Sequence, residues 1–118
     1  MLYIIRIPPH TLELRPPDGR ITFATITYES HDWVLTFHDA ASHGEQPYPF
    51  QRIASAVAVS NIVYSTTGAR FAALRDKVAT AMASDLGCSA TARTELREAL
   101  ATTPRGAIAQ LALWYRLV

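Results

Sequence analysis

The chain has a single cysteine, Cys88, and that scarcity excludes an internal disulfide, a cysteine-based zinc site and an iron–sulfur cluster within one copy. A lone thiol beside Gly87 reads as a small semi-buried residue rather than a nucleophile, because no activating base lies near it in the sequence. Glycine is also sparse, at five residues in 118, and none falls in a Gly-x-Gly-x-x-Gly or Walker pattern that cradles a nucleotide. The segment Tyr64-Ser65-Thr66-Thr67-Gly68 lacks the glycine pair of a nucleophile elbow. Eleven Lys and Arg against ten Asp and Glu leave a net charge of +1, which predicts no bulk attraction to nucleic acid or anionic lipid. Uninterrupted apolar stretches are only a few residues long, too short to cross a membrane. The start, Met1 to Pro9, carries no basic region and no small-residue cleavage signal, so a cytoplasmic protein is expected.

What is present suffices for a core. Hydrophobic residues make up 49% of the chain and mean hydropathy is +0.07, which suits one domain spanning residues 1–118. The pattern changes near Gly44 to Pro49. Before it, β-branched and aromatic residues alternate with polar ones; after it, alanine is frequent and apolar residues recur at three and four. Leu2 to Ile7 reads as a strand covered on both faces, ended by Pro8-Pro9. Strands over Leu12 to Arg15, Ile21 to Glu29 and Trp33 to His38 follow, with turns at Pro16-Pro17-Asp18-Gly19 and Glu29 to Asp32. The shifting apolar set from Ile21 and Phe23 to Ile26 and Tyr28 hints at a bulge. Asp39 to Pro49 reads as a polar connection.

Helical spacing begins at Phe50, although Ala54 to Tyr64 is β-branched enough for a strand to stay open. Gly68 suits a helix C-terminus, and Ala69 to Leu86 carries a clear stripe of Phe71, Leu74, Val78, Met82 and Leu86. A shorter helix is expected over Thr91 to Ala101. A last one follows Thr103-Pro104, read as N-cap and first helical residue. The fold class expected is α+β: a small antiparallel β-meander of three to four strands packed against three to four C-terminal helices.

Candidate chemistry is thin. His31, His38 and His43 fall among Asp32, Asp39 and Glu45, the ligand types of zinc and non-haem iron. His31 and His38 are seven apart, an odd spacing that puts them on opposite faces of one strand. Only His38, Asp39 and His43 could converge, as a small metal-dependent enzyme would require. No known ligand spacing is matched, so neither metal nor any other cofactor is expected. Residues 1–59 carry a net charge of −2 and residues 60–118 a net +3, which raises the question of DNA. Residues 96–116 resemble a helix-turn-helix in outline, which as a DNA-binding regulator would have to present Arg93, Arg97 and Arg105 to phosphate. The second helix, however, is Ala-Ile-Ala-Gln-Leu-Ala-Leu-Trp-Tyr at its centre, which wants burial rather than a groove.

Recognition of a protein by surface remains, because a complementary surface leaves no catalytic spacing to read. Tyr48, braced by Pro47 and Pro49, is the aromatic expected to be exposed; Asp39, His43 and Glu45 accompany it on an acidic projection suited to a basic partner. Trp114 and Tyr115 near the chain end either fold into the core, the favoured alternative, or form a homodimer contact. The expectation is a non-enzymatic module that binds a protein partner. A small bacterial or phage inhibitor is the class considered first: a host-defence antagonist such as an anti-CRISPR, a toxin immunity protein or an antitoxin.

Overall fold

The computed structural model describes residues 1–18, 21–38, 47–87 and 89–118. Alternation in the N-terminal half becomes five antiparallel strands in sequence order: β1 (Tyr3–Ile7), β2 (Thr11–Arg15), β3 (Ala24–Glu29), β4 (Asp32–Phe37) and β5 (Tyr48–Phe50). Four helices follow: α1 (Ile53–Ser65), α2 (Gly68–Leu86), α3 (Ala90–Ala101) and α4 (Arg105–Trp114). The fold is α+β, as the segregated periods predict. The fifth strand lies where a plain connection was expected.

Register explains which side chains reach the core. Leu14 pairs with Ala24, Ile26 with Leu35, and Leu35 with Tyr48, so two adjacent rows of apolar residues cross the sheet on its helix side. All five are buried, with Phe37 beside them. The opposite face carries Thr25, Thr27 and Thr36, the polar half of a one-sided antiparallel sheet. β3 starts at Ala24, so Ile21, 74% exposed, lies outside the strand and the apolar shift needs no bulge. The β3–β4 turn is a two-residue loop in which Ser30 and His31 both have positive φ, 48° and 71°, the combination of a type I′ hairpin.

Residues 53–65 are helical, which settles the open assignment. α1 is apolar nearly all round because it lies between layers, touching β3, β4 and β5 on one side and α4 on the other. Its buried Ser60 donates to the Ala56 carbonyl at 2.8 Å, so the hydroxyl is satisfied within the helix. Asn61 accepts from the Leu2 backbone N–H at 2.9 Å and ties the start of the chain to this helix. The sheet and α1 form one core. Phe71, Leu74, Val78, Leu100, Ile108 and Ala112 form a second between α2, α3 and α4, and Ile62 packs against both.

Several local expectations are corrected. β1 is not covered on both faces: every residue from Tyr3 to Ile7 is exposed, because it is the outermost strand of the sheet. Tyr48 is not a projecting loop residue. It is 7% exposed, since β5 pairs with β4 and turns its ring beneath α4. Gly106 makes room for it: a Cβ there would lie 2.6 Å from the Tyr48 ring. Thr103 does not cap α4. Its hydroxyl donates back to the Ala99 carbonyl at the end of α3, and Pro104 takes the cap position. Gly68, at φ 55°, opens α2 rather than closing α1, whose C-cap is Thr66.

Two outcomes are expected in urea or thermal unfolding. Gly106→Ala should cost about 1–3 kcal/mol, because the Tyr48 ring is enclosed and cannot yield. The Tyr48 hydroxyl is buried without a full hydrogen bond, so Tyr48→Phe should be neutral or stabilising by up to about 1 kcal/mol. Burial holds the Tyr48 pKa above the ordinary phenol value, partly offset by the Ala107 backbone N–H. A raised folded-state pKa means its stability contribution is intact below about pH 10 and is lost as pH rises through the folded value. Tyr48→Phe should therefore flatten the alkaline limb. Separately, replacing Ser30-His31 by Asn-Gly should stabilise by about 1 kcal/mol, since those residues suit two positive φ angles.

Candidate functional site

At 100° per residue, Trp114 falls about 240° from Ile108 around α4, roughly opposite its buried side. Ile108, Ala109 and Ala112 face α1 and α2, and Trp114 is left 78% exposed. The expected burial of Trp114 is thus overturned, and the helical wheel contained the signal. Tyr115 is half-buried, and its hydroxyl donates to Asp85 Oδ2 on α2 at 3.3 Å. Burial, and then that contact with the Asp85 carboxylate, raise its pKa above the usual phenol value.

The chain end folds back by a Schellman motif. The Leu117 N–H donates to the Ala112 carbonyl at 2.9 Å and the Arg116 N–H to the Leu113 carbonyl at 3.2 Å. This returns Leu117 to the helical core, as the motif's usual hydrophobic contact. It also forces Arg116 to φ 56°, the position where glycine is the ordinary occupant. An arginine there carries a backbone cost that a glycine would not.

Trp114 and Arg116 line a cleft of about 600 Å³ together with Phe50, Ser55, Gln110 and Leu113. Phe50 ends β5, Ser55 lies in the first turn of α1, and the rest belong to α4 and its cap. Among the described residues the walls are aromatic and aliphatic, the polar groups are one hydroxyl, one amide and one guanidinium, no carboxylate lines the cleft and none pairs with Arg116. Such a site suits an apolar side chain with an anionic group beside it. Ser55 and Leu113 gave no signal in the sequence, because it is the packing of α1 against α4 that brings them together.

The remaining candidates disperse. Asp39, His43 and Glu45 lie outside the described residues, and so does Cys88. His38 is bonded to the Thr25 hydroxyl, and His31 occupies the turn at the other end of β4. Among the described residues no three His, Cys, Asp or Glu side chains converge. Glu13 is paired with Arg15 at 2.6 Å, and that hydrogen bond holds its pKa below the usual carboxylate range. Arg105 stacks over the Phe71 ring at 4.9 Å, while Arg93 and Arg97 stand exposed on α3. No protein-family model matches the chain, and neither a curated protein nor a solved structure matches it. No helix is long and apolar enough to cross a membrane among the described residues.

The strain at Arg116 leads to an expected outcome. Arg116→Gly should raise stability by about 1 kcal/mol, while Trp114→Ala should change it by no more than about 0.5 kcal/mol, both read from urea unfolding.

Proposed function

We propose that this chain is a protein-binding module that acts by stoichiometric occlusion of its partner, with the Trp114–Arg116 cleft as its contact surface. The observation that carries the reading is a tryptophan 78% exposed beside an arginine that pairs with no carboxylate among the described residues, over a floor of Phe50 and Leu113. Tryptophan and arginine dominate interface hot spots because they bury large area and make directed bonds at modest entropic cost. The partner presents an apolar side chain flanked by a carboxylate, matching the wall and the Arg116 guanidinium. A small inhibitor of bacterial or phage origin, such as a host-defence antagonist, an immunity protein or an antitoxin, fits a chain whose apparent equipment is a surface. The acidic projection of Asp39, His43 and Glu45 is not needed for this reading.

The test is affinity capture from the native host's lysate, with and without nuclease, comparing the wild type with Trp114→Ala/Arg116→Gly. A protein captured in near-equal amount, resistant to nuclease and bound at least ten-fold more weakly by the double variant, is the expected result. Undiminished binding by the variant rejects the cleft. Recovery of nucleic acid alone moves the reading to Arg93 and Arg97 on α3.

A further inference from the structure

The two edges of the sheet are built differently. β5 is three residues long and carries Pro49, with Pro47 just before it, so it offers few free N–H groups to another strand. β1 has no such protection. It is five residues long, contains no proline, and carries one charge, Arg6. Tyr3, Ile4, Ile5 and Ile7 are 61%, 52%, 39% and 38% exposed, and Met1 before them is 88% exposed.

This edge is also held in place. Leu2 is buried at 4% and its N–H is fixed by Asn61, while pairing with β2 runs from Tyr3 through Ile7. Pairing also sets the faces: Ile4 lies opposite buried Leu14 and so on the helix side, with Arg6 beside it; Tyr3, Ile5 and Ile7 lie on the other. An apolar strand with uncovered residues on both faces and one open edge is a template for another strand.

We propose that β1 pairs antiparallel with β1 of a second copy, across a two-fold axis at Ile5, joining two five-stranded sheets into one of ten strands. The strand's own sequence selects this register. A two-fold axis at Arg6 sets like charges directly opposite, which is unfavourable. An axis at Ile4 moves Leu2 into the pairing, although Leu2 is already buried in the core. An axis at Ile5 uses all five residues: Tyr3 faces Ile7 of the second copy, Ile4 faces Arg6, and Ile5 faces itself. The exposed parts of Met1, Tyr3, Ile4, Ile5 and Ile7 amount to on the order of 500 Å² per copy, so the pairing draws on at most roughly 1,000 Å² in all, the lower bound for a specific interface. The contact is isologous and closes after two copies. It lies at the opposite sheet edge from Phe50, so it leaves the Trp114 cleft free.

The test is sedimentation velocity of the full chain across a concentration series, for the wild type, Ile5→Lys and Ile7→Lys. A dimer is expected for the wild type, and both variants should be monomers with an unchanged circular dichroism spectrum. A wild type that stays monomeric at all concentrations, or a folded Ile5→Lys variant that remains dimeric, overturns the proposal. Register is tested in a Cys88→Ser background by oxidative cross-linking, which does not depend on a charged variant folding. Residues directly opposite in an antiparallel pair have Cα atoms about 4.5–5.5 Å apart, within disulfide reach. Ile5→Cys should cross-link to its own copy and Ile7→Cys should not; cross-linking of Ile7→Cys alone, or of neither, rejects the two-fold axis at Ile5.

Discussion

The packing of α1 across the inner face of the sheet is the contact on which the rest of the molecule depends. α1 packs on β3, β4 and β5 on one side and supports α4 on the other. Its Ile62 reaches the second core as well, so the sheet and the outer helices are connected through it. A helix flanked on two sides must be apolar nearly all round, which is why Ile53 to Tyr64 is so rich in valine, isoleucine and alanine. The same placement brings Ser55 and Phe50 beside α4 and creates the cleft, and it secures the first strand through Asn61.

The layers are stacked in one direction, from sheet to α1 and α4 to α2 and then α3, and the molecule is accordingly long, 49 × 31 × 22 Å. Helices cover the middle of the sheet and leave both its outer face and its first edge in water. The outer face is polar, with its threonines, and is the ordinary solvated side of such a sheet. The edge is apolar and the cleft is aromatic. They lie at opposite edges of the sheet and are structurally independent.

Strain marks the second of them. In the β3–β4 hairpin, Ser30 and His31 occupy positive φ because a two-residue turn between twisted strands demands it. At the end of α4 the cap demands positive φ of Arg116, although glycine would meet the same demand at lower cost. The first case is local geometry. The second places a cation on the rim of an apolar cleft, where a glycine would supply nothing.

Much of the architecture was legible in the amino-acid order alone. Period-two alternation in Trp33, Leu35 and Phe37, and the three-and-four stripe from Phe71 to Val78, are direct consequences of backbone geometry, so the strand and helix halves could be read without coordinates. The exposure of Trp114 was also there, in its angular position on α4. Other features belonged to the tertiary structure. Residues 2–7 are equally apolar in a central strand and in an exposed edge, because composition reports the need for burial and not whether a neighbour meets it. Tyr48 between two prolines resembles a loop until β4 pairs with it and Gly106 admits its ring. The cleft joins residues 50, 55, 110, 113, 114 and 116, which local spacing cannot relate, since the distance between them is set only when α1 and α4 pack together.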